Sequence, residues 1–164
     1  MLVSSEINAE TEAEWLAETV RLATQNVADG GGPFGALVVK DGECVARGIN
    51  RVTANLDPTA HAEVVAIRAA CQALGTFSLE GCVLVSSCEP CPMCLSSALW
   101  ARVDRVVYAG DRHDAAKAGF DDLAFYDLFD QPRESWTMPV SKLAAVDGTA
   151  PFTAWLDHPA RVEY

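Results

Sequence analysis

Three side chains able to share one metal ion, His61, Cys91 and Cys94, constrain this chain more than any other feature. They sit in two short runs, His61-Ala62-Glu63 and Pro90-Cys91-Pro92-Met93-Cys94, so the fold has to bring two distant segments to one point. Zinc prefers nitrogen and sulfur ligands in a tetrahedron, and a catalytic zinc keeps three protein ligands with water in the fourth position. Residues three apart share one face of a helix, so Cys91 and Cys94 grip a single ion if a helix starts after Pro90. Residues two apart do not share a face, which aims Glu63 past the metal and leaves it free to carry protons. Cysteines in the first turn also lie near the positive end of the helix, which together with an ion favours the thiolate. A metal held this way lowers the pKa of its water from 15.7 to about 7. Hydrolysis at neutral pH is the chemistry these residue types support.

Two other uses of a Cys-x-x-Cys pair compete with this reading. One is a redox dithiol, and the other is half of a closed structural zinc site, with Cys88 as the nearest fourth ligand. Neither accounts for Glu63 or Pro90, whereas an open catalytic site uses both. His113 and His158 read as surface or packing residues and receive no role.

Composition fits a compact globular domain. A chain of 164 residues with 50% hydrophobic and 21% charged side chains is long enough for one substantial core and too apolar for disorder. We therefore expect a single domain over 1–164, with the first ten residues a frayed tail. No apolar run of about eighteen residues is present to cross a bilayer, and the start Met1-Leu2-Val3-Ser4-Ser5-Glu6 lacks the regions of a secretory signal, which predicts a cytoplasmic protein without membrane contact. Cys44, Cys71, Cys82 and Cys88 fall in apolar or metal-flanking stretches and are expected to be free thiols, as suits a reducing compartment. The net charge is −11, from 12 basic and 23 acidic side chains, and the basic residues are scattered. Nucleic-acid binders displace counterions with clustered Lys and Arg, so a small uncharged substrate is the better match.

Along the chain, Thr11 and Glu14 form a candidate capping box, and Trp15, Leu16, Val20, Ala23 and Val27 recur at helical spacing up to about Asp29. Phe34 to Lys40 and Glu43 to Asn50 read as two strands joined by the Asp41-Gly42 turn. Asp57-Pro58-Thr59 breaks the chain before a helix from about Ala60 to Ala73, which places His61 in its first turn, and Gly75 ends it. Cys82 to Ser86 reads as a buried strand, Cys91 to Trp100 as the second metal-bearing helix, and Arg105 to Ala109 as another strand. Further on, a helix is expected over Phe120 to Phe129, a strand within Trp136 to Val146 and a short helix over Pro151 to His158. Strands alternating with helices predict an α/β sheet covered on both faces, with the metal at the strand ends.

The pattern H-x-E followed by P-C-x-x-C is the signature of zinc nucleobase deaminases. The chain resembles the cytidine-deaminase-like superfamily and, within it, the bacterial guanine deaminases, from about Trp15 to Tyr164. The segments that carry the likeness are Gly32-Pro33-Phe34-Gly35-Ala36, Asn55 with Asp57-Pro58-Thr59-Ala60-His61-Ala62-Glu63, and Ser87-Cys88-Glu89-Pro90-Cys91-Pro92-Met93-Cys94. Asp114-Ala115-Ala116-Lys117-Ala118-Gly119-Phe120-Asp121-Asp122 and the terminal Glu163-Tyr164 narrow it further.

That resemblance implies a three-layer α/β/α fold with a five-stranded mixed sheet, one zinc ion per subunit, and a homodimer whose C-terminal segments exchange. It implies that Glu63 shuttles protons, that Asn50 and Asp122 hydrogen-bond a purine with Asp122 assisting proton transfer, that Phe34 and Trp100 line the pocket, and that Tyr164 completes the partner's pocket. The activity implied is deamination of guanine to xanthine and ammonia. A cytosine, nucleoside or triazine deaminase would share the catalytic residues, a tRNA adenosine deaminase would need a basic face, and a zinc-stabilised interaction domain would not need Glu63.

Overall fold

A computed structural model describes residues 9–164. Of the ten residues expected as a frayed tail, 1–8 lie outside the described residues, and Ala9 and Glu10 are already helical, which corrects that expectation. The chain forms two compact units, one ending at Tyr126 and the other running from Asp127 to Tyr164.

The first unit is built on a sheet of β1 (Gly35–Lys40), β2 (Glu43–Ile49), β3 (Cys82–Cys88) and β4 (Arg105–Gly110), in the order β2-β1-β3-β4. The β1–β2 and β1–β3 pairs are antiparallel and β3–β4 is parallel, so the sheet is mixed. Asp41 and Gly42 both adopt positive φ, 51° and 82°, which is the geometry of the two-residue hairpin turn. β1 and β3 are apolar and buried on both faces, as central strands of a sheet with helices on each side should be.

Helix α1 (Ala9–Ala28) covers one face: Trp15 packs with Leu37, Val39, Val83 and Val85. The opposite face takes α3 (Ala62–Leu74) and α4 (Pro92–Trp100), where Ala62, Ala66 and Ala70 meet Ala36, Val38 and Leu84. The result is the three-layer α/β/α arrangement. Alanines spaced four apart present a flat ridge, and Gly48 on β2 lets that ridge come close. A Cβ on Gly48 would lie 2.1 Å from the Ala62 carbonyl oxygen and 2.6 Å from the Ala66 nitrogen. Any side chain there has to push away the start of the helix that carries Glu63.

Three expectations are corrected. The sheet has four strands among the described residues, not five. The stretch from Trp136 to Val146 forms no strand, and Pro139 within it has no N–H to give to a ladder. Thr11 lies inside α1 and cannot cap it. The buried stripe of that helix is Trp15, Thr19, Ala23 and Asn26, whereas Val20 and Val27 are half exposed. Polar Thr19 and Asn26 are tolerated inside because each finds a backbone acceptor: Thr19 donates to the Leu16 carbonyl at 2.7 Å, and Asn26 to the carbonyls of Gly32 and Asn50 at 2.7 and 3.0 Å.

Shorter helices complete the first unit: α2 (Val52–Asn55), α5 (Arg112–Lys117) and α6 (Asp122–Phe129), the last running on into the second unit. That second unit holds a 3₁₀ turn (Arg133–Ser135) and α7 (Ala150–Asp157), with edge-to-face aromatic pairs Phe129–Trp136 and Trp155–Tyr164. No helix among the described residues is long and apolar enough to cross a membrane.

Candidate metal centre and substrate pocket

His61 and Cys91 each occupy the N-cap position of a helix, extended residues immediately before α3 and α4. The reading that placed His61 within the first turn is thus shifted by one step, and the shift has a purpose: an extended N-cap swings its side chain across the helix start. The approach to His61 is fixed locally, because the Asp57 carboxylate accepts from the Thr59 backbone N–H at 2.8 Å and the Thr59 hydroxyl at 2.7 Å. Pro92 at the first position of α4 has a preset φ and no N–H to leave unpaired.

The ligand atoms of His61, Cys91 and Cys94 all lie within 4.8 Å of one another. His61 Nδ1 is 3.6 Å from Cys91 Sγ and 3.5 Å from Cys94 Sγ. A tetrahedral zinc with Zn–S near 2.3 Å and Zn–N near 2.0–2.1 Å sets its nitrogen and sulfur ligands about 3.5–3.6 Å apart, so the donors stand at the edge length that zinc requires. Cys91 and Cys94 are buried, and Cys94 has no exposed surface. The hydrogen bond from Cys94 and, against burial, His61 push Cys91 toward thiolate, while the same bond and burial push Cys94 up. A zinc ion held by these residues would favour the thiolate at both.

Glu63, two residues past His61, is 5% exposed and accepts from the Ser86 hydroxyl at 3.3 Å. Burial pushes its carboxyl above the usual carboxylate range, toward a value at which it can take up and return a proton. A pocket of about 360 Å³ opens beside these residues. His61, Cys91 and Glu63 are in its wall, as are Phe34, Asn50 and Asp122. Four carboxylates, Glu63, Glu89, Asp121 and Asp122, line it, and no Lys or Arg does.

Residues 9–110 match the cytidine and deoxycytidylate deaminase zinc-binding region. The chain belongs to that family. It is 49% identical over 151 residues to the guanine deaminase of Bacillus subtilis, covering 92% of this chain and 97% of the relative. The X-ray structure of guanine deaminase from Bacillus subtilis matches with a TM-score of 0.89 over 96% of this chain and 99% of that one. The guanine deaminase structure from Nitrosomonas europaea is 36% identical with a TM-score of 0.64, covering 68% of this chain and 64% of that one. A tRNA-specific adenosine deaminase of Aquifex aeolicus is 36% identical over 118 residues, 72% of this chain and 76% of the relative. The deaminase fold and the His-Cys-Cys zinc site thus agree with the family.

The structure gathers most of the sequence-derived residues and separates others. Asn50 Oδ1 accepts from the Val52 N–H at 3.2 Å, which leaves its amide N–H groups for a ligand. Burial raises the Asp122 carboxyl, and neighbouring Cys91 adds to this while His61 opposes it. Trp100 does not line the pocket: it sits at the C-terminal end of α4, 64% exposed, with the Arg102 guanidinium 5.7 Å from its ring centroid. Tyr164 belongs to the second unit, where its ring meets Trp155 at 6.3 Å. Sequence reading missed Glu89, Phe120 and Phe125 in the pocket wall. Phe120 packs edge-on to Phe34 at 4.8 Å, a pairing that its place in the Ala-Gly-Phe-Asp-Asp segment could have raised.

Proposed function

We infer that this chain is a zinc-dependent guanine deaminase, converting guanine and water to xanthine and ammonia. The observation that carries the reading is a pocket that puts a buried carboxylate beside a His-Cys-Cys donor set and lines the remaining wall with carboxylates and aromatic rings. A phosphate-bearing nucleotide finds no cation there, whereas a flat base rich in N–H donors finds acceptors. The 49% identity to a guanine deaminase over most of both chains supports the same substrate.

His61, Cys91 and Cys94 would hold the zinc, which supplies an acidified water and a Lewis acid for the carbon under attack. Glu63 takes the proton of the attacking water and passes it to the adjacent ring nitrogen as the C–O bond forms. It then takes the remaining proton from the hydroxyl added to carbon and gives it to the amino group, the C–N bond breaks as the carbonyl forms, and ammonia leaves. Phe34 and Phe120 hold the flat ring and keep out bulk water. Asn50 donates to the base, and Asp122 accepts from it and assists the proton transfer.

Ammonia release measured on a panel of guanine, adenine, cytosine, cytidine, guanosine, a triazine and tRNA tests the assignment. Guanine is expected to give a kcat/KM at least ~10²-fold above the next substrate, because a site built to hydrogen-bond a base rejects analogues that leave its polar groups unpaired. Efficient inosine formation in tRNA, weakening steeply with salt, would overturn the reading. We also propose a cytoplasmic homodimer with exchanged C-terminal segments that bring Tyr164 to the partner's pocket. Exposed apolar side chains at Leu56, Leu99 and Trp100 and six free cysteines support it. Sedimentation equilibrium checks the assembly, and a monomer mass at micromolar concentration sinks it.

A further inference from the structure

Arg112, outside the metal signature, binds two parts of the pocket wall at once. Its backbone N–H and Nε donate to Glu89 Oε2 at 3.0 and 3.1 Å, and its Nη2 donates to Oε1 at 2.6 Å. Glu89 lines the pocket and lies two residues before the zinc ligand Cys91. The other face of the guanidinium covers the ring of Tyr126, with Cζ 3.4 Å from the centroid. The Tyr126 hydroxyl donates to the carbonyl of Pro90, the residue that precedes Cys91. A closed circuit therefore runs from the metal loop through Glu89 to Arg112, on to Tyr126, and back to Pro90.

Tyr126 stands one turn after Asp122 on α6, and residues four apart share a helix face. Asp122 and Phe125 are the parts of that helix that form the pocket wall. α6 has no buried residue of its own, so little apolar packing fixes it. The guanidinium, by contrast, is bidentate on a carboxylate and stacked on an aromatic ring, two interactions with strict geometry.

We propose that Arg112 is a positioning residue: through Glu89 and Tyr126 it locks α6 to the metal loop and so sets the distance between Asp122 and the zinc site. Arg112 touches no substrate, and its effect passes through the wall it holds. The proposal rests on the pocket being the site of base binding.

Arg112→Ala in the zinc-loaded full chain is the test, read two ways. Amide hydrogen exchange from Asp122 to Tyr126 is expected to speed up by at least ~tenfold while α1 and α3 keep their protection, since local opening then needs less free energy. KM for guanine is expected to rise ~tenfold or more with zinc unchanged, and kcat to fall with it, because Asp122 both binds the base and assists the proton transfer. Arg112→Lys keeps the charge without the fork and should fall between wild type and Arg112→Ala. Tyr126→Phe keeps the ring and removes only the hydroxyl, so it should raise KM in the same direction by less. Unchanged exchange over these residues in both Arg112→Ala and Tyr126→Phe overturns the proposal whatever the substrate. A lowered melting temperature with KM unmoved overturns it too, by showing a purely structural role. Faster exchange in a protein whose wild type ignores guanine would leave the lock standing and count against the substrate instead.

Discussion

Glu63→Gln is expected to lower kcat for guanine by ~10²–10⁴, the usual size of a general acid–base contribution, while zinc stays at one per chain. The change is nearly isosteric, and a glutamine oxygen can still accept from Ser86, which now lies 3.3 Å from Glu63 Oε1. What disappears is the ability to bind and release a proton. The fold contributes to that ability: the side chain is 5% exposed, and burial raises its carboxyl. A dication nearby pulls the other way, so the working value lies between the two influences. KM should change little, because the base is held by Phe34, Asn50 and Asp122 and not by the shuttle. Metal analysis with single-turnover kinetics separates the outcomes. Near-normal turnover in a fully metallated variant would remove Glu63 from the proton path.

The metal centre was legible in the sequence because its geometry is local. His61 and Glu63 differ by two positions, Cys91 and Cys94 by three, and helix geometry converts those spacings into directions with little help from the rest of the chain. The hairpin was legible for the same reason, since Asp41-Gly42 admits few turns. What failed depended on tertiary context. The stripe of α1 was misjudged because Thr19 and Asn26 are buried by virtue of backbone acceptors, one of them, the Asn50 carbonyl, far along the chain. The Arg112 circuit joins residues from three elements, and no spacing rule foretells it. The strand expected within Trp136 to Val146 does not form, and Pro139, which has no N–H to give to a ladder, supplies the reason.

Removing one zinc ligand should cost both activity and stability. Cys94→Ala is expected to bind zinc below one per chain and to lose at least ~10²-fold in activity, more than the loss typical of partners that merely orient a ligand. Three donors at the spacing of a zinc tetrahedron leave one position for water; two donors leave a site that competes poorly with buffer and chelators. Cys94 is fully buried against Val64 and Cys91, so its truncation also opens a small void. Cys94→Ser separates the two effects, since it nearly preserves volume while replacing a soft ligand by a hard one. It should lose zinc as Cys94→Ala does. Zinc that binds only the folded chain also stabilises it: at 1,000 times Kd the gain is about 4 kcal/mol. For a chain of this length that is a melting shift of roughly 10 °C. Chelation should therefore lower the melting temperature of the wild type by about that amount and move Cys94→Ala much less, because the variant holds less zinc to lose. A variant that keeps one zinc, full turnover and chelator sensitivity would show that Cys94 is not a ligand, and would reopen the closed-site reading in which Cys88 takes part.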